Sequence, residues 1–336
     1  MAIATTTSGV RRIECSVPAG ELLPGEPFRI GLRVVLPPDG TPATDIAFYC
    51  VVGGQMSLAY FDLGEGDDRR FSMAEALARR GHVVVLADHP GISSSTMPED
   101  EWDLTPDLIA RAHAAAARTA LDGLRQGSLV PGLDAMSGLV AVGLGHSMGA
   151  VMTIEVEAVA QLYSGIVLLG YGTGGLPDIL PPEAVEKARD IEWLRGYLPE
   201  LVRERFGTAR LDPETARKKR RGREGGSPSF HSDYADPDGK AALRGAAAPL
   251  LTLPGLFSMF PGVSDEASSR IAVPILVVTG THDFIEAGEA LLEQFSTCPR
   301  LDIIRPEDTG HNLFIFPSRT ESFAQISDWA TGLKSG

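Results

Sequence analysis

The sequence has few cysteines, no long apolar run and no N-terminal apolar segment. Its 336 residues include three cysteines, and Cys15, Cys50 and Cys298 are far apart and show no metal-binding spacing. No apolar stretch is long enough to span a bilayer, and the N-terminus lacks the apolar core of a signal peptide. We therefore expect buried, reduced thiols and a cytoplasmic protein.

Basic residues are also in the minority. The chain has 44 Asp and Glu against 30 Lys and Arg, which gives a formal charge of -14. This balance argues against a nucleic-acid partner and favours an ordinary soluble protein. One basic run starts at Arg217 and ends at Arg221. It could bind an anion or nucleic acid, but in so acidic a chain a solvated loop or helix end is favoured.

What the sequence does contain is Gly145-His146-Ser147-Met148-Gly149. The preceding apolar run predicts a buried strand at residues 138–144, and the following pattern predicts a helix at 151–162. In so abrupt a turn, glycines two residues before and after the serine remove Cβ atoms that would clash. The serine is then held in a strained conformation with its hydroxyl exposed. Such a turn presents a nucleophile, but the pentapeptide also occurs by chance, so the interpretation depends on its partners.

Patterns along the whole chain predict an α/β protein. Short turns join the first strands and indicate an antiparallel start, whereas helices alternate with the later strands and indicate a mostly parallel, doubly wound sheet with helices on both faces. The eight predicted strands are residues 12–18, 27–36, 45–52, 82–87, 138–144, 164–170, 271–279 and 301–304. The alternation breaks at residues 173–269, where a Pro- and Gly-rich segment ends in an apolar stretch that should pack over the active site. The predicted core is therefore residues 1–172 and 270–336, with an inserted unit at 173–269.

A serine nucleophile needs an adjacent base, and the chain has seven histidines. In open parallel sheets, functional groups gather beyond the carboxyl ends of the strands. His311 follows the last strand in a glycine-flanked loop, so it is the expected base. The others are less suited: His82 opens a strand, His113 lies within a helix, His146 should point away from the serine, His231 lies in the insertion, and His89 and His282 lie in tight turns.

The base in turn needs an orienting acid, which should follow a neighbouring strand. Asp283 comes directly after the penultimate strand and would accept the Nδ1–H of His311. Its alternative role is an N-cap for a helix that begins near residue 285. Asp178 is the rival acid, whereas Asp308 is too close to His311 along the chain to orient it.

Two backbone N–H groups should stabilise a developing oxyanion. One is Met148, the residue after the nucleophile. The other should come from the loop after the third strand, where Gly53 and Gly54 permit close approach of the backbone; Gln55 is the first choice and Met56 the next.

Taken together, these segments resemble the α/β-hydrolase superfamily. The elbow is of the G-H-S-M-G type, and the order Ser, Asp, His along the chain is the family's own. A turn similar to the family's D-x-P-G-x-G-x-S segment is found at Asp88-His89-Pro90-Gly91-Ile92-Ser93-Ser94-Ser95. The chain departs from the pattern at Gly53, where a histidine is usual, and at Ser93, where a glycine is usual. The resemblance implies an eight-stranded α/β-hydrolase fold with a helical cap, residues 173–269, inserted after the sixth strand. Substrate contacts are then expected from Gly54, Met56, Tyr171, Phe257 and Phe260.

The leading functional hypothesis is a serine hydrolase that cleaves a hydrophobic, medium-sized carboxylic ester or lactone. Ser147, His311 and Asp283 would form the triad, with no cofactor.

C–C bond hydrolysis of a diketone or ring-fission product uses the same triad in related enzymes and stays open, as do thioester hydrolysis and acyl transfer. A non-catalytic small-molecule binder of this fold also stays open. A metal site built from His282, Asp283 and His311 is the weakest reading, because no known ligand spacing is present. The expected partners are the small-molecule substrate, no nucleic acid and no membrane, with a homodimer left open.

Overall fold

A nine-stranded sheet organises the part of the chain that the structure describes. The computed structural model describes residues 3–7, 9–177, 180–187, 190–206, 233–285, 288 and 290–335. The strands are β1 Ile3–Thr7, β2 Val10–Leu23, β3 Glu26–Leu36, β4 Ile46–Val51, β5 Val83–Ala87, β6 Val140–His146, β7 Gly165–Leu169, β8 Ile275–Val278 and β9 Leu301–Ile304. Their order across the sheet is β1-β2-β3-β5-β4-β6-β7-β8-β9. Neighbours from β1 to β5 are antiparallel and those from β5 to β9 are parallel. The predicted mostly parallel α/β sheet is confirmed.

The prediction of eight strands is wrong by one. Strand β1 pairs with the start of β2, from Ile3 opposite Glu14 to Thr7 opposite Val10. Its residues are almost entirely exposed, so the strand has no apolar face that a sequence pattern could reveal. It exists because an edge strand can be held by backbone hydrogen bonds to one neighbour.

Helices cover both faces of the sheet. They are α1 Met73–Ala78, α2 Pro106–Gln126, α3 Met148–Ala160, α4 Pro182–Lys187, α5 Ile191–Phe206, α6 Pro237–Gly245, α7 Thr252–Phe257, α8 Asp265–Ser268, α9 Ala290–Gln294 and α10 Arg319–Gly332. Alternate residues of β4 face opposite ways, so Tyr49 and Val51 pack with α2 and α3, whereas Phe48 and Cys50 pack with α1 and α10. No helix in the described ranges is long and apolar enough to cross a membrane.

Helix α2 shows how local sequence sets these boundaries. The Thr105 side chain accepts a hydrogen bond from the Leu108 N–H at 3.2 Å, and Pro106 occupies the first helical position, where its missing N–H costs nothing. Gly127 ends the helix with a φ of 68°, a conformation that glycine adopts without a Cβ clash. The helix lies against β2, β3 and α3.

A long connection of residues 170–274 joins β7 to β8 and carries helices α4 to α8. In its described parts, Leu194, Leu198, Phe257 and Phe260 are buried in the same core cluster as α2 and α3. This β7–β8 connection follows the strand that the sequence places sixth, which becomes the seventh because of the additional β1. It therefore starts at the carboxyl end of β7, next to the end of β6.

Candidate active site

Ser147 stands at the turn between β6 and α3, with φ of 55° and ψ of −122°. A non-glycine residue with positive φ is strained, so the surrounding structure must hold it there. The two flanking glycines explain how. A Cβ on Gly145 would lie 2.2 Å from the Gly149 carbonyl oxygen, and a Cβ on Gly149 would lie 2.1 Å from the Val51 carbonyl oxygen. The turn can therefore be this tight only with glycine at both positions.

Asp283 and His311 come together beyond the ends of β8 and β9. The Nδ1 atom of His311 lies 3.0 Å from Oδ1 and 3.1 Å from Oδ2 of Asp283, and both side chains are buried. The Asp283 Oδ1 atom also accepts the Ile285 N–H at 3.0 Å, but the described helix that follows begins only at Ala290, so the structure does not show Asp283 as a helix N-cap. Gly170, at φ of 56°, leaves room for the imidazole: a Cβ there would lie 2.9 Å from His311 Nδ1.

The loop after β4 packs against the elbow, since a Cβ on Gly53 would lie 3.2 Å from the Cβ atom of Ser147. Gln55 has φ of 65°, and its carbonyl accepts the Ala248 N–H at 2.7 Å, which turns that oxygen towards the β7–β8 connection. The Ser57 N–H donates to the Ala246 carbonyl at 2.8 Å. Within the described ranges, the N–H groups of Gln55 and Met148 have no hydrogen-bond acceptor. Both residues line the same cavity as Ser147, and two unsatisfied backbone donors beside a nucleophile can bind an oxyanion.

These elements surround a cavity of about 520 Å³. Ser147 and His311 both open onto it, with the 54–56 loop and Met148 beside them. Its described lining contains no Lys, Arg, Asp or Glu, and most of the remaining side chains are apolar. The apolar lining comprises Met56, Met148, Val151, Tyr171, Leu176, Leu243, Leu250, Met259, Phe284 and Ile285.

A sequence model of the alpha/beta hydrolase family matches residues 53–326. The matched range contains the elbow, the Asp283–His311 pair and the loop after β4. The chain belongs to the alpha/beta hydrolase family. Membership supports hydrolase chemistry and leaves the substrate open. A comparison with curated proteins finds no significant sequence match.

Solved structures share this hydrolase fold at low sequence identity. A putative aryl esterase from Burkholderia cenocepacia superposes with a TM-score of 0.58 at 14% identity, covering 100% of both chains. The peroxisomal alpha-beta-hydrolase Lpx1 from Saccharomyces cerevisiae gives 0.58 at 11% identity, covering 97% of this chain and 91% of its own. DcsB in complex with its substrate analogue gives 0.57 at 13% identity, covering 96% and 100%. At these identities the likeness concerns the fold alone.

His146 is a further residue beside this hydrolase site. It borders the cavity, and its Nε2–H donates to the His311 carbonyl at 2.9 Å. The ring stacks on Tyr60 at 4.5 Å between centroids and lies 4.8 Å from the His311 ring. Burial, together with the nearby His311, lowers the pKa of His146 well below its usual value, so it stays neutral. His146 is the last residue of β6 and pairs with Leu169, and its stacking partner Tyr60 belongs to the same buried cluster as Val142 and Leu144, so the ring follows the alternation of the strand.

The predicted substrate contacts divide into two groups. Gly54, Met56 and Tyr171 line the cavity, and the Tyr171 hydroxyl is fixed by Ser264 at 2.8 Å and Gln294 at 3.0 Å. Phe257 and Phe260 do not belong to the described lining, so that prediction is wrong. Both are about 1% exposed and pack into the core, while the residues between them, Ser258 and Met259, face the cavity.

The remaining candidates lie elsewhere. His282 is exposed and pairs with Asp308 at 3.4 Å, and His89 is buried beneath the loop after β4. The rival acid Asp178, His231 and the basic run at residues 217–221 lie outside the described residues. In the described ranges, no group of three or more His, Cys, Asp or Glu side chains is close enough to hold a metal ion.

Proposed function

We propose that this protein is a serine hydrolase that cleaves a carboxylic ester or lactone through an acyl-enzyme. Ser147 is the nucleophile, His311 the general base and Asp283 the residue that orients His311. The N–H groups of Met148 and Gln55 form the oxyanion hole. The observation that supports this proposal best is the His311–Asp283 contact of 3.0 Å on the wall of the cavity onto which Ser147 opens.

The reaction follows from these roles. The Ser147 Oγ atom attacks the carbonyl carbon while its proton moves to His311 Nε2, and the carbonyl oxygen becomes an oxyanion between the two N–H donors. When the tetrahedral intermediate collapses, the leaving oxygen takes the proton from His311. Water then attacks the acyl-enzyme with His311 again as base, which releases the acid and restores Ser147. Asp283 stabilises the imidazolium that forms in each half-reaction.

The cavity supports an uncharged, hydrophobic substrate. A charged group on the substrate would lose its hydration without gaining a counter-ion from the described lining, which is costly. Met56, Met148 and Met259 offer flexible, polarisable surface that adapts to several shapes. The β7–β8 connection contributes Leu176, Leu243, Leu250, Ser258 and Met259 to the walls, which supports a role for residues 173–269 as a cap. The cytoplasmic location and a homodimer stay predictions.

A substrate panel with the wild type and Ser147→Ala tests the proposal. The panel contains p-nitrophenyl esters of increasing acyl length, aryl lactones and a β-diketone. We expect hydrolysis of esters or lactones by the wild type and none by Ser147→Ala, which should still fold. Cleavage of the diketone alone would favour C–C bond hydrolysis, and saturable binding with no turnover of any compound would favour a binder. Activity retained by Ser147→Ala would refute the assignment of Ser147 as the nucleophile.

A further inference from the structure

The turn after β5 holds both ends of the loop that carries the proposed oxyanion donor. Two adjacent residues of this turn contact that loop: the His89 Nε2 atom lies 2.7 Å from the Val52 carbonyl oxygen, and Asp88 Oδ1 lies 2.6 Å from the Leu58 nitrogen. We infer that Asp88 and His89 are positioning residues that fix the 52–58 loop against the elbow. The inference rests on the proposed function, because that function makes the loop the carrier of an oxyanion donor. The contacts themselves do not depend on it.

The contact with Val52 has a defined direction. The Val52 carbonyl can only accept, so the proton of neutral His89 is on Nε2 and its Nδ1 must accept. His113 Nε2 lies 2.9 Å from that Nδ1 and therefore donates, and His113 Nδ1 accepts the Tyr49 hydroxyl at 3.3 Å. Every polar side-chain atom in this buried series of hydrogen bonds then has a partner, which fixes the plane of the His89 ring.

The side chains in this hydrogen-bonded series stay neutral at physiological pH. His89, His113 and Tyr49 are each 1% exposed or less. Burial lowers the pKa of His89 to about 4, against an opposing contribution from the Val52 carbonyl. Burial also lowers the pKa of His113 well below its usual value. Neither ring therefore gains a second N–H donor that would disrupt the order of donors and acceptors.

The contact with Leu58 holds the other end of the loop. Asp88 is 1% exposed, and burial raises the pKa of its carboxyl to about 6, with the Leu58 N–H opposing the rise. The carboxylate is therefore mostly ionised at neutral pH, and its hydrogen bond to Leu58 is charge-assisted. Asp88 lies next to His89 in the chain, so a single rigid turn fixes both ends.

This loop needs such support because it is strained and close to the nucleophile. Gln55, at its tip, has the left-handed φ of 65°. Val52 lies directly against the elbow, since a Cβ on Gly149 would come within 2.5 Å of its carbonyl oxygen. On its outer side the loop bonds to Ala246 and Ala248 of the β7–β8 connection. A shift at Val52 would move the Gln55 N–H relative to Ser147, and a displacement of about 1 Å can cost on the order of 100-fold in rate.

The test compares three variants of buried histidines. His89→Phe keeps an aromatic ring and removes the donor to Val52, whereas His89→Gln keeps an N–H that can reach the carbonyl. The matched control is His82→Phe, because His82 is equally buried and bonds to Thr44 and Ser327 at 2.7 Å each, away from the cavity lining. Each variant is measured by amide hydrogen exchange of peptides that cover residues 52–61 and by the rate at which a fluorophosphonate labels Ser147.

The expected result separates positioning from general destabilisation. His89→Phe should raise exchange in the 52–61 peptides and slow phosphonylation by about 10- to 100-fold, because the phosphonyl oxygen needs the same donors as an oxyanion. His89→Gln should recover most of the labelling rate. His82→Phe should leave the exchange of these peptides and the labelling rate unchanged, even if it lowers thermal stability as much as His89→Phe does. Equal effects of His89→Phe and His82→Phe, or no effect of His89→Phe, would overturn the inference. If the wild type is not labelled at Ser147, the proposed function fails, and the exchange measurement alone decides: a rise confined to His89→Phe supports the inference, and no rise overturns it.

Discussion

Asp283→Asn is the substitution that isolates the charge behind His311. Asparagine retains an oxygen that can accept the Ile285 N–H, now 3.0 Å from Asp283 Oδ1, so the backbone after β8 should keep its conformation. What disappears is the negative charge next to the imidazolium that forms during acylation. The amide also offers an N–H₂ group to His311, which can reverse the preferred tautomer and remove the base from the Ser147 side.

The magnitude follows from the distance. The His311 Nδ1 atom lies 3.0 and 3.1 Å from the two carboxylate oxygens, which places the charge centres about 4 Å apart. At an effective dielectric constant of about 20, this separation corresponds to roughly 4 kcal/mol of attraction. Since about 1.4 kcal/mol is a factor of ten in rate, the turnover number should fall about a thousandfold.

The assay is steady-state hydrolysis of the best p-nitrophenyl ester, with a matched substitution as control. Asp308→Asn makes the same chemical change at an exposed carboxylate 3.4 Å from His282, and its φ of 50° suits asparagine. We expect Asp308→Asn to retain wild-type activity. If Asp283→Asn keeps more than about a tenth of the turnover number, the charge contributes at most about 1.4 kcal/mol, and Asp283 acts mainly as a neutral hydrogen-bond acceptor would.

Three further changes test the surroundings of the site. Gly149→Ala should lower the melting temperature sharply in thermal unfolding, because its Cβ would lie 2.1 Å from the Val51 carbonyl oxygen; a stable variant would contradict the tight elbow. His146→Phe keeps the aromatic ring but removes the N–H donated to the His311 carbonyl, so the turnover number should fall about tenfold with an unchanged Michaelis constant. A change in the Michaelis constant alone would instead indicate that His146 binds the substrate. Burial lowers the pKa of His82 from 6.5 to about 4, so its stabilising contribution is complete above pH 6.5 and is lost as the pH falls through 4. This loss amounts to roughly 3 kcal/mol, and urea unfolding at pH 7 and pH 4 should show it as a difference between wild type and His82→Gln.

The elbow could be predicted from sequence because its geometry restricts residue types. A Cβ at Gly145 or Gly149 would collide with backbone atoms, so the turn leaves a local pattern that can be read without the fold. The positions of Asp283 and His311 follow from a second local feature, since each comes after a recognisable strand. The contact between them depends on β8 and β9 being parallel neighbours, which the alternation of strands and helices already implies.

Other features could not be predicted, because they depend on neighbours distant in sequence. The exposed strand β1 is defined only by its pairing with β2. The apolar stretch that ends the β7–β8 connection is correctly expected near the site, but hydrophobicity does not show which side chains face a cavity. Phe257 and Phe260 face the core and Met259 faces the cavity, a division set by a helix of six residues, α7, and by the turn that follows it.

The environment of each histidine explains why one is suited to act as a base. Four described histidines are buried, and burial lowers their pKa, so they remain neutral and act as fixed hydrogen-bonding groups: His82, His89, His113 and His146. His282 does contact a carboxylate, but the pair is exposed, so water competes for both partners. Among the histidines that the structure describes, only His311 combines a buried carboxylate on Nδ1 with a position on the cavity wall. A proton taken up there is stabilised by Asp283 while it stays within reach of a substrate, and a general base in an acyl transfer must meet both conditions.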